Sequence, residues 1–312
     1  DNSIKQLAED TCLLAEKLEN QNLVNPPVTM KIEYLGKPVL GSVGQCVFEI
    51  KVRNHSDKAY SSVMRITEIP EGWRVMPDNI PLTVESGKEQ KVEFKAMLLP
   101  DTKILRNKNI LNVQYGQYEE KFGIAGAQEW TAAGPFFEPL DKKEPDGYPS
   151  PHGEGCSLPS PECLVNNAVY LSTNYLNEDE FIKSFDKEET QKISSSEDLL
   201  PLDKHFTFQG QGCIYLKQTI IADKEETVWA VVGNNDGFRL WINGDICMER
   251  DEIRLWTPYN NYELIRLHRG KNEIILKLLR RTETLKFSLG LKMYGGSHFH
   301  RTRWCTNLAC EI

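Results

Sequence analysis

At 312 residues the chain exceeds what one hydrophobic core usually serves, so its length argues for two domains. Hydrophobic residues make up 40% and charged residues 26%, and no apolar run approaches the roughly 18 residues that a membrane helix needs. The net charge of −8, with no dense block of Lys or Arg, argues against a nucleic-acid surface.

The chain begins at Asp1 with neither Met nor a charged-then-apolar leader, which reads as a processed protein or a piece of a longer one. Its eight cysteines (Cys12, Cys46, Cys156, Cys163, Cys213, Cys247, Cys305 and Cys310) are spread over a chain large enough to fold without staples. Cys46, Cys213 and Cys247 fall inside alternating apolar stretches and are expected as buried thiols.

Residues 1–25 carry the one convincing helix. Ser3 and Gln6 form a capping box over 3–19, and Ile4, Leu7, Ala8, Thr11, Leu14, Ala15 and Leu18 recur at helical spacing. From 26 to 124 the period changes to two, as in Val28–Met30–Ile32–Tyr34 and Val92–Phe94–Ala96. Turn signals such as Pro70-Glu71-Gly72 and Ser86-Gly87 separate six or seven short strands, which predicts a β-sandwich. Trp73 follows a Gly turn and is placed to close one end of that core.

Residues 125–165 are rich in Gly, Pro, Ser and acids and read as an irregular entry to a second domain spanning 125–298. Residues 178–200 read as a solvated charged loop that can hold one helical turn. Alternation then resumes at Cys213–Thr219, Val228–Val232 and Phe238–Ile242. Asn243-Gly244 signals a type I′ hairpin, and Ile274–Leu278 and Phe287–Leu291 supply further strands. Repeated hairpins without interposed helices predict an antiparallel sandwich or jelly roll, with 299–312 as a tail. The expected fold class is therefore all-β: two β-sandwich domains behind one N-terminal α-helix.

Two motif sets carry resemblances. The order strand, Asn54, turn, strand, Pro70-Glu71-Gly72-Trp73, strand, Gly87, strand over 28–118 is similar to the immunoglobulin-like accessory domain of bacterial glycosidases such as some α-galactosidases. Trp130 through Gly134-Pro135-Phe136, then Asn235-Asp236-Gly237 to Trp241-Ile242-Asn243-Gly244, then Leu267 to Gly270-Lys271-Asn272, resemble in order the galactose-binding-like jelly rolls of bacterial carbohydrate-active proteins. Asn235 stands where that family has its first Asp, which puts a cation at that turn in doubt. Helix 3–19 resembles the closing helix of ADP-ribosylglycohydrolase-like proteins.

Sugars are bound by aromatic faces flanked by amides and charges, because a pyranose has an apolar CH face and a polar rim. Arg254, Trp256, Tyr259, Asn260 and Tyr262 supply all of these in one segment and are the candidate ligand-binding residues; the alternative is that Trp256 and Tyr259 seal a domain interface or cap the core. Trp241 lies between Leu240 and Ile242 and reads as core or sheet surface; Asp236 and Asn243 read as turn formers. The spacings among His298, His300, Cys305 and Cys310, or between Cys156 and Cys163 near His152, match no zinc pattern, so no metal and no cofactor is expected. Cys305 and Cys310 would form a tail disulfide or stay as free thiols. No hydrolase, zinc-protease, phosphate-loop or dinucleotide motif is present, and no catalytic residue is assigned.

Together these readings imply a non-catalytic glycan-binding or scaffolding accessory module. The alternative is the C-terminal positioning or oligomerisation region of a larger glycosidase or ADP-ribosylglycohydrolase-like protein, with its catalytic domain upstream. A carbohydrate ligand and that upstream domain are the implied partners.

Overall fold

Period-two alternation becomes paired strands wherever both faces of a segment find distinct surroundings. The computed structural model describes residues 26–42, 44–100, 102–105, 109–137, 140, 171–187, 189–197, 199–208, 211–258, 260–281, 284–295, 304–305 and 308–311. The expected helix at 3–19, and Cys156, Cys163, His152, His298 and His300, lie outside these residues.

The first sandwich is built from β1 (Val28–Tyr34), β2 (Val39–Leu40), β3 (Cys46–Asn54), β4 (Tyr60–Thr67), β5 (Trp73–Met76), β6 (Asn79–Val84), β7 (Glu89–Leu98), β9 (Asn109–Tyr115) and β10 (Tyr118–Gly126). One sheet has the order β1-β3-β7-β5 and the facing sheet β2-β10-β9-β4-β6. Cys46, Phe48, Ile50 and Val52 point inward from β3, and Phe48 stacks on Phe94 with ring centroids 5.7 Å apart. Buried Asn54 closes a turn, its Nδ2 donating to the Lys58 and Val84 carbonyls at 2.7 and 2.9 Å. Trp73 is buried in this core, as its place after Gly72 suggested.

The second sandwich opens with β11 (Gln128–Phe136), inside the stretch expected to be irregular. That expectation is corrected: β11 pairs with β12 (Thr190–Ser195) on one side and β14 (Gly212–Ala222) on the other. Gly134-Pro135 sits at a register shift between Ala133 and Phe136, so a dipeptide that reads as a turn is absorbed as a strand irregularity. The remaining strands are β13 (Leu200–Pro201), β15 (Glu226–Asn234), β16 (Phe238–Ile242), β17 (Asp245–Arg250), β18 (Asn261–Leu267), β19 (Gly270–Arg280) and β20 (Lys286–Met293). The large sheet runs β12-β11-β14-β19-β16-β17 and the smaller one β13-β20-β15-β18. Val228, Ala230 and Val232 face Leu216, Leu240 and Leu276 across the core. The β16–β17 hairpin turns at Asn243 and Gly244, with φ of 53° and 90°, the left-handed pair that a type I′ turn requires.

The outer face of the large sheet is covered as well. Helix α1 (Glu178–Ser184) and its flanks bring Leu171, Tyr175, Phe181 and Phe185 onto Cys213, Tyr215, Trp241, Ile275 and Leu279. The charged loop expected over 178–200 is thus a helix followed by β12. Its acids looked solvated in sequence, but Glu178 receives the buried Lys277 amine, the Tyr215 hydroxyl at 2.8 Å and Arg239 Nη1 at 2.9 Å.

The two sandwiches share backbone hydrogen bonds. Strand β21 (Ala309–Glu311) pairs Cys310 with Ile220 of β14 on one side, and with Ile104 of β8 (Lys103–Leu105) on the other. Buried Glu129 adds a polar tie, accepting from Ser42 N, Ser42 Oγ and Ser194 Oγ at 2.6 to 2.8 Å. A Cβ on Gly41 would lie 2.5 Å from Glu129 Oε1, so only glycine permits this approach.

Candidate functional site

Strand β15 is flanked by β18 and β20, and its inward Val228, Ala230 and Val232 leave Trp229 on the opposite, outer face. The register places Trp229 opposite Leu264 of β18 and Lys292 of β20, and Lys292 in turn bridges to Trp304 of the tail. A single row across the sheet therefore reads Trp304, Lys292, Trp229, Leu264. Tyr262 and Tyr294 flank it, with ring centroids 5.8 and 6.3 Å from Trp229. Both tyrosines are exposed, at 47% and 60%, and Trp304 and Leu264 are also open to solvent. The Lys292 amine sits 4.7 Å over the Trp304 ring.

Apolar rings collected on an outer sheet face lose solvent when a partner covers them, and contiguous exposed apolar surface of this kind marks binding sites. The Trp229 and Tyr262 rings meet at 78° and the Trp229 and Tyr294 rings at 54°, so together they form corners and not one flat platform.

Of the five candidate residues, Tyr262 joins this cluster. The others do not. Arg254 turns inward, its Nη2 donating to Asn261 Oδ1 at 2.7 Å and Asn234 Oδ1 at 3.3 Å. Trp256 is half-buried, with its indole N–H enclosed and no hydrogen-bond partner among the described residues. Asn260 accepts from Asn261 Nδ2 at 3.0 Å, and Tyr259 lies outside the described residues. The segment 251–258 is anchored, with Arg281 as the centre. Arg281 Nη1 reaches Asp251 and its Nε reaches Asp236, both at 2.6 Å, and Asp251 also accepts from Leu171 N at 2.9 Å. Burial pushes the Asp236 carboxyl up, and Arg281 opposes it. Three donors converge on Asp236, from Gly237 N, Arg281 N and Arg281 Nε, and these suit a carboxylate, so the pair is charged.

Trp241 is buried beneath α1, and Asp236 and Asn243 serve their turns: Asn243 Oδ1 accepts from Glu273 N at 2.9 Å. Cys46, Cys213, Cys305 and Cys310 are buried thiols and Cys247 is half-buried. Burial pushes Cys213 and Cys305 each to about 12. A cavity of about 220 Å³ at the joint between the sandwiches is lined by Val39, Gln128, Glu197, Ile220, Cys305 and Cys310, among others. Among the described residues no three His, Cys, Asp or Glu side chains are grouped to hold a metal ion.

Sequence reasoning missed Trp229, Lys292 and Tyr294. The signal for Trp229 was present, since the alternation that buries Val228 and Ala230 places the intervening aromatic on the far face.

Neither a family model nor a curated protein sequence matches the chain. Solved structures similar to it include a β-glucosidase from Kluyveromyces marxianus (9% identity, TM-score 0.30, covering 36% of this chain and 15% of that one). The PA14 domain of the MpAFP antifreeze protein matches at 18% identity and TM-score 0.27, over 34% of this chain and 56% of that one. A GH31 α-xylosidase from Xanthomonas citri matches at 10% identity and TM-score 0.29, over 91% and 26% respectively. Each of these three matches spans less than two thirds of the other protein.

Proposed function

We propose that this chain is a non-catalytic glycan-binding accessory module whose ligand lies on the outer face of the β13-β20-β15-β18 sheet. The observation that supports this reading is the cluster of half-buried Trp229 with exposed Tyr262 and Tyr294, whose ring centroids each lie about 6 Å from the indole. Such rings offer the CH face of a sugar an apolar partner, and Lys292 and the tyrosine hydroxyls supply hydrogen bonds to its rim. In this reading the first sandwich is an immunoglobulin-like spacer and the second a galactose-binding-like jelly roll. Affinity electrophoresis of the wild type and Trp229→Ala through a panel of polysaccharides tests it. At least one polysaccharide is expected to retard the wild type and not the variant; equal mobility throughout would reject the assignment.

A second reading is favoured by the β21 joint: the two sandwiches act as a positioning element for a catalytic domain upstream. A strand hydrogen-bonded to both holds their orientation, which is what a spacer needs and what a sugar-binding surface alone does not. The coding sequence ahead of Asp1 discriminates, since a start codon there removes this possibility.

A further inference from the structure

The charge on the aromatic face goes further than the glycan reading and rests on it. In the row that crosses the sheet, a cation stands between two indoles: Lys292 is the cross-strand neighbour of Trp229 and lies over Trp304 at 4.7 Å. The next outward pair along β15 and β18 is Thr227 and Arg266, whose guanidinium is held by Glu225. The outward positions of this row and the next thus carry Lys292, Trp229, Leu264, Thr227 and Arg266, with the Glu225 carboxylate beside Arg266.

We propose that this face takes a carboxylated sugar, a uronate or sialic-type residue in a soluble chain, with its CH face on Trp229 and its carboxylate at Lys292 Nζ. Two features of the face support this occupant. The ring corners of 78° and 54° prevent a planar, crystalline polysaccharide from lying flat on Trp229 and on either tyrosine at once, which favours a single chain or a chain end. The ammonium beside the stacking ring complements an anion that is part of the stacked sugar, and a neutral sugar leaves that complementarity unused.

Calorimetric titration with matched pairs separates the possibilities: trigalacturonate against its methyl ester, and sialyllactose against lactose, each with the full chain. At least one acid is expected to bind about three- to fivefold tighter than its neutral partner, as an exposed charge pair allows, and the preference should shrink with added salt. Lys292→Gln should abolish the preference by weakening the acid more than its neutral partner, whereas Trp229→Ala and Tyr294→Ala should weaken both members of the pair alike. Melting curves confirm that each variant is folded, and the exposed Tyr294→Ala keeps the test decisive if Trp229→Ala is not. Equal affinity within every pair, lost in Trp229→Ala, overturns the acidic assignment and leaves the glycan reading standing. No binding by any of the four sugars overturns the acidic assignment, and the polysaccharide panel then decides the broader reading by itself. Concentration-dependent dimerisation that Trp229→Ala removes would assign the face to a second copy of the chain and overturn the proposal.

Discussion

Replacing Arg281 by Met tests whether the interior of the second sandwich depends on its charges. Arg281 is 2% exposed and Asp236 1%, and two of the guanidinium's hydrogen bonds, to Asp236 and Asp251, measure 2.6 Å. Removing one partner of a buried pair typically costs about 3–5 kcal/mol, because the survivor is left as an uncompensated charge. Here the low end applies. Asp236 keeps the backbone N–H groups of Gly237 and residue 281, and Met refills much of the volume. We expect Arg281→Met to destabilise the second sandwich by about 3 kcal/mol in urea unfolding followed by tryptophan fluorescence, to which buried Trp130 and Trp241 contribute. Adding Asp236→Asn should return at least about 1 kcal/mol, because the orphaned charge is then gone. A loss below about 1 kcal/mol, with additive single variants, would refute the reading of this pair as a charged strut.

Asn243→Ala forces a Cβ-branched-free but chiral residue to keep φ at 53° and removes the bond to Glu273 N, so a loss of about 1–2 kcal/mol is expected by the same unfolding assay. Deleting residues 304–312 should free the sandwiches from one another, seen as faster limited proteolysis near 105–128 and a larger radius in solution scattering; unchanged behaviour would show that Glu129 and its serines suffice. Because the folded pKa values of Cys213 and Cys305 are raised from 9.0 to about 12, their contribution is complete below about pH 9 and is lost as pH rises from there toward 12. A urea midpoint that falls between mildly and strongly alkaline buffer, and falls less in a Cys213→Ala variant, is the expected result.

The alternation of apolar residues determined much of this protein by itself. Phe48–Ile50–Val52 and Val228–Ala230–Val232 specify strands and their buried faces, and Asn243-Gly244 specifies its hairpin, because side-chain direction and left-handed φ are local properties. Other features depended on segments far apart in the chain. Glu178 looks like a surface acid until Lys277, 99 positions later, is set beneath it, and Gly134-Pro135 looks like a turn until β12 and β14 pair around it. The candidate site divides the same way. Tyr262 was legible as an aromatic beside polar residues, but only the register of β18, β15 and β20 brings it to Trp229, Lys292 and Tyr294. Local sequence sets which way a side chain points, and strand pairing across tens of residues decides what it stands beside.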